Sequence, residues 1–300
     1  ITKEMDIGDA ALLFDPARRR YWLMAITGGG LSYVGENSER NDCVLYSRGV
    51  GPDAKWEGRR SVKAAILAGI GKSDHPGRGV LAGPGHGMVT QIGRAGMPTG
   101  TLVFPVQAFV NGGTTNAQCC AAYSTDGGET WRTTGLTPMP PGNAQENCIL
   151  ELDDGSWLMM SKGGTWGSGK GKRLFFRTTD FKTWSQLADI PNVIHVQGSC
   201  LRIGTGADGV GRYVLAHQLD PATRARLALV FGRDLTADNP DAGQEGVAWD
   251  LENPLVIHAG ATGGQGYVSL CLLDETTLGV LYEANNQIRF ERIDLSPYLR

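Results

Sequence analysis

Strand-sized apolar runs recur in groups along this chain, and that recurrence constrains its fold more than any other feature. One group is Ala10–Phe14, Tyr21–Ile26 and Cys43–Arg48. The next is Gly87–Gln91, Thr101–Phe109, Gln118–Thr125 and Trp131–Thr134. A third is Asn147–Leu152, Ser156–Ser161, Arg173–Thr178 and Trp184–Leu187. A fourth is Gly198–Ile203, Arg212–His217, Arg226–Phe231 and Val247–Asp250. The fifth is Tyr267–Leu273, Thr277–Glu283 and Ile288–Ile293. Clusters of Gly, Pro, Asn and Asp separate the runs, and helical periodicity is weak, with Ser61–Ala68 alone reading as a short, ambiguous helix. Groups of three or four short strands, each about 40 to 60 residues long, match one propeller blade apiece. A blade cannot bury both faces alone, so neighbours must stack around an axis.

Composition agrees with that reading and excludes others. Glycine supplies 43 of 300 residues, roughly twice the usual share, without a G-X-Y period, so many tight turns are expected and a collagen is not. At 41% hydrophobic residues the chain can build a real core. A formal charge of −3 argues against a dedicated nucleic-acid binder, which needs a basic surface. No apolar run approaches the ~18 residues of a membrane span. The opening Ile-Thr-Lys-Glu has no initiator Met, charged n-region or apolar h-region, so a signal segment has been removed or a longer chain is involved. Cys43, Cys119, Cys120, Cys148, Cys200 and Cys271 make no CxxC pair and sit in apolar runs. They are expected to be buried free thiols, with a disulfide left open. No metal site and no cofactor are expected.

Ser124–Trp131 follows S-x-D-x-G-x-x-W, the Asp box found between the third and fourth strands of a blade. Its chemistry is local: Asp126 accepts turn N–H groups, the glycines permit left-handed backbone, and Trp131 packs under the next strand. Thr178–Trp184 is a degenerate copy, and Ser47–Trp56 a more eroded one. A β-sandwich explains short strands but not this motif.

Further stretches resemble the catalytic propeller of sialidases of the bacterial and trypanosomal type. Gly83-Pro84-Gly85-His86-Gly87-Met88, with Gly100 to Gln107 after it, resembles that family's GPGxGI…GxLVxPxQ passage. Gln145 to Ser156 resembles NESQVVEL-x-DG, Gln197-Gly198-Ser199 resembles the CQGS turn, and Gly266 to Glu283 resembles GYSxL…GxLYE. The resemblance runs in family order from about residue 6 to the end. It implies a six-bladed β-propeller of which about five blades lie in this chain, treated as one domain over 1–300. The implied activity is that of a retaining exo-α-sialidase acting on sialylated glycans. The same core residues would serve a trans-sialidase or a non-catalytic sialic-acid-binding propeller. Secretion, periplasmic residence or a cell-surface location is the family expectation.

The resemblance also assigns residues. Tyr267 falls at the nucleophile position, because a neutral phenol avoids the repulsion a carboxylate would meet from the substrate's anomeric carboxylate. Glu146 matches the carboxylate that activates it. The family holds the substrate carboxylate with three arginines, whose planar forks suit that group. Arg224 resembles the third, with Arg226 as fallback. Sixteen positions after Glu146, where the second arginine is usual, stands Lys162, which keeps the charge but loses the fork. Arg173 or Arg177 is the alternative. Glu283 matches the glutamate that supports the first arginine, and Gln197 is a further supporting residue. The family's first blade carries an Arg-Ile-Pro turn and an acid/base aspartate, and neither is found. Arg18-Arg19-Arg20 reads as a solvated turn, and Asp42 resembles the acid's setting only superficially. Three explanations stand for the blade with the acid: it lies on another segment, it has been clipped, or the protein lacks it, and propeller closure argues against the last.

Overall fold

The five groups of runs become five antiparallel sheets. The computed structural model describes residues 7–27, 42–74, 78–110, 117–139, 143–164, 170–236, 246–261 and 266–300, and all that follows concerns those residues. The first sheet holds Ile7–Asp15, Arg20–Thr27, Asp42–Gly49 and Glu57–Ser61, with neighbours in sequence lying side by side. The second holds Gly79–Ala82, Leu102–Phe109, Ala117–Ser124 and Arg132–Thr133. The third holds Asn143–Glu151, Trp157–Gly164, Lys170–Thr178 and Ser185–Gln186. The fourth holds Ser199–Thr205, Gly211–Gln218, Ala225–Asp234 and Val247–Trp249. The fifth has three strands, Val268–Leu272, Thr277–Ala284 and Gln287–Asp294. The chain is an all-β, five-bladed β-propeller.

The alternation along each inner strand sets the packing. Apolar clusters lie between successive blades. Ala11, Leu13 and Trp22 meet Phe104 and Cys120 between the first two. Val103 and Cys119 meet Trp157 and Phe176 between the next two. Cys148 and Phe175 meet Cys200 and Leu215, and Val214 and Leu229 meet Val268 and Val280. Among the described residues, the opposite faces of the first and last blades have no such neighbour. Leu12 and Phe14 stand 43% and 44% exposed, and Leu281, Ile288 and Phe290 stand 45%, 67% and 52% exposed. Both outer blades are thus apolar on both faces, as central blades are.

Hairpins carry the sequence motifs. Asp126 accepts the Ser124 hydroxyl at 2.7 Å and the Thr130 N–H at 3.0 Å, and Gly128 takes φ +93°. Trp131 lies against Trp22 and Phe104, tying the second blade to the first. Asp180 accepts the N–H groups of Lys182 and Thr183, both at 2.8 Å, and Trp184 Nε1 reaches back to Gly135 O at 3.0 Å. The Ser47–Trp56 stretch also bridges the third and fourth strands of its blade, but there Arg48 holds the turn through Ala54 O and Gly51 O.

The structure departs from the sequence reading in several places. Gly87–Gln91 is not one strand: Gly85–His86 leaves the second sheet and pairs in parallel with Ala11 and Leu12, while Met88–Val89 returns to Leu102–Phe109. The polar strand Glu57–Ser61 was not expected, nor were Ile190–Ile194 and Leu255–Ala261, which add to the third and fourth sheets. The short helix is real and runs Lys63–Gly69. All six cysteines are free and five are buried; Cys271 is exposed, because it falls on the face of its strand turned away from the fourth blade. Arg18 sits in a turn and pairs with Asp15 at 3.0 Å. Asp42 begins the third strand of the first sheet and accepts the Ser61 hydroxyl at 2.6 Å.

Candidate active site

Inner strands deliver their side chains to one end of the axis through bulges. The pairing of Asn143–Glu151 with Trp157–Gly164 slips between Gln145 and Cys148, and Glu146 there takes φ +44°. A matching slip between Gly8 and Ala11 gives Asp9 φ +44°. A bulge re-aims one side chain at the expense of local pairing, and left-handed backbone at a non-glycine residue is tolerated where surroundings enforce it. Glu146 is held by Gln107, whose Oε1 accepts its N–H at 3.1 Å. Its neighbour Asn147 donates to Val106 O at 3.2 Å.

Tyr267 approaches Glu146 from the fifth blade. Its hydroxyl donates to Glu146 Oε1 in a short hydrogen bond across 121 residues of sequence. Its backbone is fixed by Glu283, whose Oε2 accepts the Tyr267 N–H at 3.2 Å and whose N–H donates to Tyr267 O at 3.0 Å. Gln197, 1% exposed, accepts the Val268 N–H and donates to Val268 O, both at 2.9 Å, and donates to Pro84 O at 3.3 Å. The other oxygen of Glu146, Oε2, lies 2.6 Å from Lys162 Nζ. One carboxylate therefore joins a phenol from the fifth blade to an ammonium from the third.

Electrostatics gather further residues here. Burial holds the Tyr267 phenol well above its ordinary range, and the Glu146 charge and hydrogen bond add to that. Burial pushes Lys162 down, against the opposing pull of Glu146. Arg224, half-buried, acts on Tyr267, Lys162 and His195 alike, so its charge belongs to the same cluster. Arg226 is exposed, in a bulge at φ +56°, and is not the residue brought here. Of the alternatives to Lys162, Arg177 is committed to Asp154 at 2.6 Å and Ser156 at 2.9 Å. Arg173 is fully buried behind the cluster, donates to Val196 O, and is lowered to about 10 by burial.

Two residues join that the sequence reading did not single out. Asp9 shares a cavity of about 340 Å³ with Tyr267, Glu283, Gln197 and Pro84. Burial raises its carboxyl, the Glu146 charge raises it further, and Lys162 opposes. His195 is nearly buried and lowered to about 4, by burial first and by Lys162 next. Their signals were faint: an acid opening an apolar inner strand, and a lone histidine two residues before Gln197. Among the described residues no group of His, Cys, Asp and Glu could hold a metal ion. No described helix is long and apolar enough to cross a membrane.

The site is thus a Tyr–Glu–Lys chain between the fifth and third blades, with an arginine beside it. No family model matches the chain. It is 22% identical over 308 residues to a sialidase of Bacteroides fragilis (strain YCH46), covering 98% of this chain and 51% of that protein. Among solved structures it resembles the Hadza microbial sialidase Hz136, with a TM-score of 0.73 and 20% identity, over 98% of this chain and 53% of that one. It also resembles the intramolecular trans-sialidase from Ruminococcus gnavus in complex with oseltamivir carboxylate, with a TM-score of 0.73 and 15% identity, over 100% of this chain and 80% of that one. The chain shares the β-propeller fold of these sialidases, and it spans about half the length of the curated relative it matches.

Proposed function

We propose that this domain belongs to a retaining exo-α-sialidase, with Tyr267 as nucleophile and Glu146 as its base. The observation that carries the reading is the Tyr267–Glu146 hydrogen bond, with Lys162 on the far oxygen and Arg224 beside it. A phenol held above its ordinary range is a poor nucleophile until its proton has somewhere to go, and Glu146 Oε1 is that place. The substrate carboxylate is taken by Arg224, with Lys162 adding charge from its seat on Glu146. Tyr267 Oη then bonds to the anomeric carbon as the glycosidic C–O bond breaks, and the phenolic proton passes to Glu146. The leaving oxygen needs a proton from an acid. In the second half water attacks the glycosyl-enzyme and gives its proton to the conjugate base of that acid, while Tyr267 leaves and takes its proton back from Glu146. Glu283 and Gln197 act through the backbone of Tyr267 and Val268.

The acid fits a sixth blade, supplied from sequence outside this span. Two apolar faces flank the open sector, on the first blade at Leu12 and Phe14 and on the fifth at Leu281, Ile288 and Phe290. A propeller that closes removes such faces. The chemistry requires no metal or cofactor. The partners are sialylated glycans, encountered outside the cell or in the periplasm.

Release of a fluorogenic aryl group from a sialoside by the full-length protein tests the reading, with Tyr267→Phe as control. The expected result is turnover that the substitution abolishes. Sialoside binding without turnover would make this a binding propeller instead. Product analysis then separates hydrolysis from transfer to another sugar.

A further inference from the structure

Three glutamines outside the Tyr–Glu–Lys chain, Gln107, Gln197 and Gln218, are almost wholly buried with their amides on main chain; Gln218 Nε2 donates to Gly266 O, and Gln107 and Gln197 each use both the donor and the acceptor. Gln107 sits on Leu102–Phe109 of the second blade and is 1% exposed. Its Oε1 accepts the Glu146 N–H at 3.1 Å, and its Nε2 donates to Ala82 O at 3.2 Å. Gln197 stands at the entrance to the fourth blade, and its amide takes both main-chain groups of Val268, at 2.9 Å each. Its Nε2 also reaches Pro84 O at 3.3 Å.

Both contacts fall where sheet pairing stops. Glu146 lies in a bulge, so its N–H has lost its ladder partner, and Gln107 supplies one from the neighbouring blade. Val268 opens the inner strand of its blade, and Gln197 takes its N–H and C=O from outside that sheet. A primary amide sets an acceptor oxygen beside a donor nitrogen at the spacing of a peptide group, so it substitutes for an absent strand. A buried main-chain group without such a partner is costly. The pull of each glutamine reaches a second segment as well. Ala82 and Pro84 flank Gly83, which packs on the Asn147 backbone so closely that a Cβ would run into its carbonyl.

We propose that Gln107 and Gln197 are positioning residues of the reaction, one fixing the backbone of Glu146 and the other the backbone behind Tyr267, so that together they set the Tyr267–Glu146 separation. This rests on the catalytic reading above. Glu146 and the strand that follows Tyr267 belong to different sheets, the third and the fifth, so strand pairing does not set their separation. The two glutamines do so by tying both backbones to one short segment, Ala82 to Pro84. A misplacement of about 1 Å in such a pair can cost on the order of 100-fold in rate.

The test is steady-state kinetics of the full-length protein on an aryl sialoside, with thermal unfolding measured alongside. Gln107→Met and Gln197→Met keep volume but lose both hydrogen-bonding groups. Each is expected to lower kcat about 10- to 100-fold with KM changed less than about two-fold. Gln107→Glu keeps the acceptor for the Glu146 N–H and is expected to recover part of the loss. Gln197→Glu keeps the acceptor but turns a carboxylate toward Val268 O and Pro84 O, so its kcat relative to wild type should rise as pH falls and the carboxyl protonates. These isosteric variants serve if the methionine variants do not fold. An active wild-type protein whose variants unfold at lower temperature with unchanged kcat would overturn the inference while leaving the catalytic reading intact. A wild-type protein with no turnover strikes the catalytic reading itself, whatever the variants do.

Discussion

Lys162 Nζ sits 2.6 Å from Glu146 Oε2, on the oxygen opposite the one that receives the Tyr267 hydroxyl. Lys162 is therefore a counter-ion for Glu146, the base of the proposed mechanism. Lys162→Met should raise KM, because positive charge leaves the carboxylate site. A KM unchanged in the variant would show that Lys162 takes no part in holding the substrate carboxylate.

Removing the other partner has a different consequence. Glu146→Gln leaves a buried ammonium facing a neutral amide, and breaking one side of a buried pair destabilises by on the order of 3 kcal/mol. Chemical denaturation should show that loss together with loss of turnover. A variant as stable as wild type would mean that Lys162 sheds its proton or finds another partner.

His195 gives a stability signature in mild acid. Its folded-state value is lowered to about 4 from 6.5, so the unfolded chain binds more protons between those limits. The stabilising contribution is complete above about 6.5 and drains away as pH falls toward 4. Melting temperature should decline across that window, and His195→Gln should flatten the decline. An equal slope in the variant would assign the acid sensitivity elsewhere, for instance to buried His217, which is lowered to about 3.

The open faces make the sixth blade testable without activity. If a further blade covers Ile288 and Phe290, each buries its side chain in the full-length protein. Ile288→Ser and Phe290→Ser should then each cost about 1.5–3 kcal/mol in denaturant unfolding. Unchanged stability would mean that both side chains remain in water.

Much of the architecture was legible because blade strands are strand-sized apolar runs that end in turn chemistry. Trp131 and Trp184 marked their hairpins, and the apolar run Ala10–Phe14 located an inner strand from sequence alone. Glu57–Ser61 was not legible, since an outermost strand is polar and carries no alternation. The detour at Gly85–His86 was hidden for another reason: its partner, Ala11–Leu12, lies far back in the chain, and pairing at that distance leaves no local trace. Within the site, Tyr267 and Glu146 stood out through family-like surroundings. Asp9 did not, because its place depends on a bulge, and bulges are set by tertiary pairing. Lys162 was found by spacing, yet its partner was not, since spacing says nothing of which carboxylate oxygen it meets.

Covalent attachment of the sugar to Tyr267 is the step on which the mechanism turns. A sialosyl fluoride bearing fluorine next to the anomeric carbon slows the second step more than the first, so an intermediate should accumulate. Peptide mass mapping of the full-length protein after such treatment should place one sialosyl unit on Tyr267 and none on the Tyr267→Phe variant. Turnover that leaves no adduct, or an adduct on any other residue, would contradict the mechanism.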